Sequence, residues 1–199
     1  LTGFKWIGKM INDYPELQYI CGGEESFGFL AGNHVRDKDA ITSALILSEL
    51  CNELKNKNSS FYDRLIECYI NYGFFKEKLI TEIAKGKKGV KEIDDKINSF
   101  RKNPPKLLDN STVVKIYDYK KSLLTKTENK NLSQIKLPKS NLIIFESSDG
   151  TRVAVRPSGT EPKIKYYFSV NTELNSKADF NFKNDFLNKK INSLIKQFI

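Results

Sequence analysis

The stretch that decides the fold is residues 141–170, "NLIIFESSDGTRVAVRPSGTEPKIKYYFSV". It holds three short apolar runs separated by two sets of turn-forming residues. Asp149-Gly150 suits the positive φ angles of a tight hairpin turn, so "NLIIFE" and "TRVAVRP" read as the arms of a β-hairpin. "KIKYYFSV" reads as a third strand, with Ile164, Tyr166, Phe168 and Val170 on one face and Lys163 and Lys165 on the other. Val153 and Val155 share a face, which places Arg152, Ala154 and Arg156 opposite. Pairing of these strands gathers basic groups around the turn "PSGTEP".

That turn has the chemistry of an anion holder. Pro157 fixes one backbone angle. Gly159 permits close approach and a curled main chain with inward N–H groups. Ser158 and Thr160 add hydroxyls, and Arg156 can grip two oxygens of a phosphate at once. Each charge-assisted hydrogen bond contributes roughly 1.5–3 kcal/mol, so three or four could position a sugar phosphate. The alternative is a plain turn whose basic residues face water. The chemistry of the loop alone leaves both open.

Working outward, Leu187, Ile191, Leu194 and Phe198 fall in helical register at the end of the chain. "TVVKIYDY" alternates as a strand, and "LTKTENKNLSQ" reads as a polar loop. Val90, Ile93, Ile97 and Phe100 share a helical face until Pro104-Pro105 breaks it. "KGKKG" marks a domain boundary, with residues 1–85 on one side and 86–199 on the other. Upstream, Leu79 to Ala84 reads as a short helix. A helix carrying Leu65, Ile66, Tyr69 and Ile70 precedes it, with Gly73 as its C-terminal glycine. Another helix carries Ala44, Leu47, Cys51 and Leu54, with Asp37 or Asp39 as N-cap. Phe4, Ile7 and Ile11 outline a first helix, and "LQYIC" a buried strand. The fold class is therefore α/β for a partial, mixed-sheet first segment. An α+β domain with an antiparallel sheet packed by helices follows.

The 199 residues suffice for a core without covalent staples, and the three cysteines have no paired spacing, which points to reduced thiols in a cytoplasmic protein. No apolar run reaches membrane-spanning length. The formal net charge of +9 suits anionic partners. Its lysines are scattered among asparagines, however, so a solvated surface accounts for it better than nucleic-acid binding. The opening "LTGFKWIGKM" has no initiator Met and reads as the interior of a longer protein, so the chain is taken as a fragment.

A second loop, "GGEESFGFLAGNHVRDKDA", is too rich in glycine and charge for the interior of an element. It follows a strand, where open α/β sheets bind ligands. Glu24 can accept hydrogen bonds from sugar hydroxyls and Ser26 can donate or accept them. A charged loop with an N-cap is the plainer reading for Asp37, Asp39 and Glu25. His34, the lone histidine, has no companion that would make it a metal ligand, and no metal-binding cluster is present in the sequence.

Together, "TGFKWIG", "GGEESFGFLAGNHVRDKDA", "FRKNPP" and "RPSGTEPKIKYYF" resemble the C-terminal part of the phosphoglucomutases, within the α-D-phosphohexomutase superfamily. The resemblance runs nearly end to end. It implies that residues 1–85 are part of a third, sugar-binding domain and residues 86–199 a fourth, phosphate-binding domain. It implies a sugar-recognition loop at Gly23, Glu24 and Ser26, and a following active-site stretch at Arg36 and Lys38, with Lys38 a possible assisting residue. It implies a phosphate-binding loop at Arg156, Ser158, Gly159 and Thr160, with Lys165 beside it.

The resemblance further implies a full-length enzyme that interconverts glucose 1-phosphate and glucose 6-phosphate, using Mg²⁺ and glucose 1,6-bisphosphate. The serine loop and the metal loop of that enzyme belong to N-terminal domains that this sequence does not contain. The expectation is a chain that has no mutase activity alone, binds no metal and partners those domains and a sugar phosphate. Phosphomannomutase or phosphopentomutase activity, and a non-catalytic anion- or RNA-binding module, are the alternatives.

Overall fold

The computed structural model describes residues 3–24, 28–84, 86–159 and 161–199. The chain divides into two compact units, Leu1–Leu65 and Ile66–Ile199. This division lies upstream of the "KGKKG" stretch at which the sequence alone sets a boundary.

In the first unit, helix α1 (Lys5–Asp13) carries Ile7 and Ile11 on the side that meets Phe4, Leu30 and Tyr19. Strands β1 (Cys21–Glu24) and β2 (Gly28–Ala31) pair antiparallel, with Gly23 opposite Phe29. The glycine-rich segment read as a loop is thus partly strand, while "LQYI" forms no element and Ile20 is exposed. The glycines allow close packing, against backbone at Gly23 and against a side chain at Gly22. A Cβ on Gly23 would sit 2.5 Å from the Gly28 carbonyl oxygen, and one on Gly22 would sit 2.6 Å from the Tyr19 hydroxyl. Glycine here allows two chains to approach. Helix α2 (Ala40–Asn56) starts at Asp39, whose carboxylate accepts hydrogen bonds from the N–H groups of Ile41 and Thr42. Such a cap satisfies amides that the helix itself leaves unpaired.

Helix α3 (Phe61–Tyr72) ends at Gly73, which has φ of +97°. The segment expected to form a short third helix is instead strand β3 (Phe74–Ile83). It pairs along its whole length with β10 (Lys163–Thr172), from Phe74 opposite Thr172 to Ile83 opposite Lys163. Six residues are too few to nucleate a helix in water, and ten residues of ladder override the local pattern. Helix α4 (Gly86–Lys102) follows. After it come β4 (Leu107–Leu108), β5 (Ser111–Asp118), β6 (Leu123–Lys126), β7 (Leu132–Gln134), β8 (Ile143–Ser147) and β9 (Arg152–Pro157). The "LTKTENKNLSQ" segment is therefore a strand hairpin rather than a loop. Its short, largely polar strands extend the sheet edge beyond β5.

The sheet order is β3-β10-β9-β8-β5-β6-β7, with β4 against β5, and every pairing is antiparallel. The core lies between one face of this sheet and helices α4 and α5 (Phe180–Phe198). Ile93 and Ile97 of α4, and Leu187, Ile191, Leu194 and Phe198 of α5, pack with Phe145, Val153, Val155, Ile164, Tyr166 and Phe168. The alternation read from "KIKYYFSV" is the alternation of burial along β10.

The β8–β9 turn is tied to α5. Gly150 has φ of +80°, and the Asp149 carboxylate accepts bonds from the Ser147 hydroxyl, the Thr151 N–H and the Lys190 ammonium. Lys190 is buried. Burial pushes the Asp149 carboxyl up, but the bonds from Lys190, Ser147 and Thr151 outweigh it and hold the carboxyl well below the usual range. A carboxyl lowered in this way stabilises the fold above the unfolded pKa of about 3.9, and the contribution drains as pH falls towards the folded value. The Asp149 side chain is 38 % exposed, so solvent screening reduces the effect. Asp149→Asn is expected to cost about 1 kcal/mol in urea unfolding at pH 7, and the gap to the parent chain should narrow below about pH 4.

Candidate phosphate-binding site

Strands β9 and β10 are consecutive and antiparallel, so the loop joining them is a hairpin connection at the end of the sheet. Register places Lys165 directly opposite Arg156 and Ile164 opposite Pro157. Ile164 faces the core. Alternation therefore sends Arg156 and Lys165 to the outer face. Both line a cavity of about 400 Å³, together with Pro157, Ser158, Gly159 and Lys163. Thr160 lies outside the described residues.

Like charges directly opposite on neighbouring strands are destabilising by a few tenths to about 1 kcal/mol. Arg156 and Lys165 occupy such a pair, with Lys163 on the same cavity wall. The Glu161 carboxylate offsets part of this charge by pairing with Lys163. The hydrogen bond from Lys163, and then the charges of Lys163 and Lys165, hold the Glu161 carboxyl below its usual range.

The backbone departs from the sequence expectation in one respect. The Ser158 N–H donates to the Lys163 carbonyl oxygen at 2.8 Å and closes the hairpin. That amide is not aimed at the cavity, so an anion there would draw on side-chain cations and hydroxyls more than on a ring of amides. At Gly159, no positive φ demands a glycine, and an added Cβ would meet nothing within 4 Å. The missing side chain leaves open space beside Arg156 rather than relieving the fold. Lys163, which pairs across to Ile83, is the charged cavity residue outside the phosphate-binding set expected from the sequence.

In the first unit, Gly23, Glu24 and Lys38 line a separate cavity of about 580 Å³, with Gly28, Phe29 and Ser43. Gly28 brings them together: a Cβ there would lie 3.3 Å from both the Glu24 Oε2 and the Lys38 Cδ. The Lys38 ammonium bonds to Asp37 at 2.6 Å and lies 5.3 Å from the centre of the Phe4 ring. The Arg36 guanidinium donates to the carbonyl oxygens of Asn33 and Val35, folding back on its own loop rather than lining the cavity. Asp39, held down to about 2 chiefly by the Thr42 hydroxyl and N–H, serves as the helix cap and meets His34 at 3.3 Å. Ser26 lies outside the described residues. Phe29 and Ser43 were not legible as site residues, since one is a strand aromatic and the other an ordinary first-turn serine.

Comparison with known proteins shows the family of the chain. Residues 1–69 match the family description "Phosphoglucomutase/phosphomannomutase, alpha/beta/alpha domain III" and residues 78–175 match "Phosphoglucomutase/phosphomannomutase, C-terminal domain". The chain belongs to the phosphoglucomutase/phosphomannomutase family. A phosphoglucomutase of Staphylococcus epidermidis is 39% identical over 174 residues, covering 87% of this chain and 32% of the relative. One of Staphylococcus aureus is 37% identical over 196 residues, covering 98% and 34%. The chain thus spans about a third of the length of the curated relatives it matches. The open form of pp63/parafusin, a phosphoglucomutase from Paramecium, shares the fold with a TM-score of 0.58 at 22% identity, covering 99% of this chain and 33% of that one. The α/β segment followed by an antiparallel sheet packed by helices is the architecture of this family's third and fourth domains.

Proposed function

We propose that this chain supplies the sugar- and phosphate-recognition part of a phosphohexomutase that interconverts glucose 1-phosphate and glucose 6-phosphate. The observation that carries this reading is the Arg156–Lys165 pair. Two cations set directly opposite each other, beside Lys163 and an open space at Gly159, give the cavity a positive charge that the Glu161 carboxylate offsets only in part. A phosphate is the natural occupant. The guanidinium takes two of its oxygens, and the ammonium groups of Lys163 and Lys165 neutralise the remaining charge.

In the first unit, the Glu24 carboxylate accepts hydrogen bonds from vicinal sugar hydroxyls, and Lys38 donates to a hydroxyl or a phosphate oxygen. Ser26 and Thr160 extend the two sets by sequence position. Because the phosphate cavity recognises a dianion and no sugar edge, it can hold a hexose whichever of its two ends carries the phosphate. That is the requirement of a reaction in which the sugar is presented in both directions. The metal implied by phosphoryl transfer has no donor set among the described residues, where no three His, Cys, Asp or Glu side chains cluster.

Nuclear magnetic resonance titration of the chain with glucose 6-phosphate tests the reading. The expected result is a set of amide shifts centred on residues 156–165, reproduced by inorganic phosphate and absent with glucose. Equal shifts with glucose, or an unresponsive loop at millimolar phosphate, would overturn it. A coupled assay of the longer protein with glucose, mannose and ribose 1-phosphates then fixes the sugar.

A further inference from the structure

Strand β3 ends the sheet on one side, and no described strand pairs with its other edge. Natural sheets blunt such edges with short strands, proline or bulges. The strand at the opposite end, β7, is only three residues long. β3 is ten residues long, holds no proline and pairs with β10 without a break in register. Its outer face carries Phe75, Leu79 and Ile83, which are 55, 48 and 71 % exposed. A long apolar edge of this kind is a template for a further strand. The ladder tells which main-chain groups are open. The Ala84 N–H donates to the Pro162 carbonyl oxygen at 2.8 Å, one step beyond the Ile83–Lys163 pair. Bonded positions alternate along an antiparallel strand, so Phe74, Lys76, Lys78, Ile80 and Glu82 bond to β10. Phe75, Glu77, Leu79, Thr81 and Ile83 turn their N–H and C=O groups to the open edge.

We infer that two copies of this chain join through β3, antiparallel and centred on Leu79, so that one sheet runs through both. The strand is complementary to itself in that register. On the outer face, Leu79 of one copy meets Leu79 of the other, Phe75 meets Ile83, and Glu77 meets Thr81. On the helix face, Lys76 meets Glu82, a pair of opposite charge. Centring on Glu77 or on Lys78 sets that residue against its own copy, and like charges directly opposite are destabilising. Centring on Ile80 sets Glu77 against Ile83 and leaves Phe75 with no strand residue opposite. Lys165 lies opposite Thr81, so the joined sheet carries both phosphate cavities on one face. Three strand spacings and four residues of rise separate them by about 20 Å. That exceeds the Debye length of about 10 Å at 0.1 M salt, so the two cationic cavities do not oppose the pairing.

Sedimentation equilibrium of the 199-residue chain across the micromolar range tests the pairing, and a monomer–dimer equilibrium is the expected result. Leu79→Pro removes an N–H that β10 does not use, a position at which an edge strand accepts proline, and should leave only monomer. Thr81→Glu sets like charges opposite at two symmetric positions and should weaken the dimer about fivefold. Adding Glu77→Lys to that variant makes both pairs oppositely charged and should restore the association. Glu77 and Thr81 are exposed, so these two changes decide the matter even if Leu79→Pro does not fold. A chain that stays monomeric overturns the proposal and leaves the edge to a strand of a different partner. A dimer that keeps its affinity in a folded Leu79→Pro variant, or in Thr81→Glu, overturns it as well.

Discussion

Arg156→Ala should weaken binding of a phosphate monoester by about two orders of magnitude, through loss of two charge-assisted hydrogen bonds contributing roughly 1.5 kcal/mol each. The side chain is exposed, and its strand neighbours Val153 and Val155 carry the packing. Thermal stability should therefore change by no more than about 0.5 kcal/mol. This separation of binding from folding distinguishes a ligand residue from a structural one. Arg156→Lys keeps the charge but not the fork, and is expected to recover only part of the affinity. Gly159→Ala supplies a second, steric reading. The added methyl enters open space with no backbone strain, so the fold should tolerate it, whereas a bound phosphate would meet it. Retention of full affinity by both Arg156→Ala and Gly159→Ala would show that the cavity is not where phosphate binds.

The parts of this site that the sequence made legible share one property: their geometry is set by alternation along adjacent strands. Once Asp149-Gly150 is read as a hairpin turn, the outward position of Arg156 and Lys165 follows from the pleat. Helices α4 and α5 were legible for the matching reason, a long apolar face with a single period. The errors fell where local pattern and tertiary pairing disagree. "LITEIA" is too short for its period to be decided, and β3 is a strand because β10 offers ten residues of ladder. "LTKTENKNLSQ" is polar because its strands sit at the sheet edge, where the hydrogen bonding of β6 to β5 and of β7 to β6, rather than burial, defines them. The direction of the Ser158 amide was illegible for another reason. Whether a turn amide faces a ligand or closes a hairpin depends on cross-strand register, which local residue types do not encode.

"FRKNPP" contributed to the family resemblance without showing what its arginine does, and the structure gives that arginine work at three places at once. The Arg101 side chain is 6 % exposed and reaches from the last turn of α4 to Asp118 at the end of β5, at 3.3 Å from Nε. Its other nitrogens donate to Asn98 at 3.4 Å and to Asn141, just before β8, at 2.6 Å. Asn141 in turn lines a small cavity behind the loop, with Pro157, Ser158 and Gly159. A planar fork with several donors can hold these acceptors together, and an ammonium cannot. Removing the buried guanidinium leaves Asp118, among the described residues, with only the longer Lys121 pairing at 3.9 Å and the Lys120 N–H, so Arg101→Ala should cost about 3 kcal/mol. Arg101→Lys should recover little of it. The measurement is urea unfolding followed by far-ultraviolet circular dichroism, because the single tryptophan, Trp6, lies in the first unit. A double-mutant cycle with Asp118→Ala decides the mechanism. If the pair is what stabilises, the second substitution should add little once the first is made. Additive losses would instead assign the cost to packing of the arginine stem between α4 and the sheet.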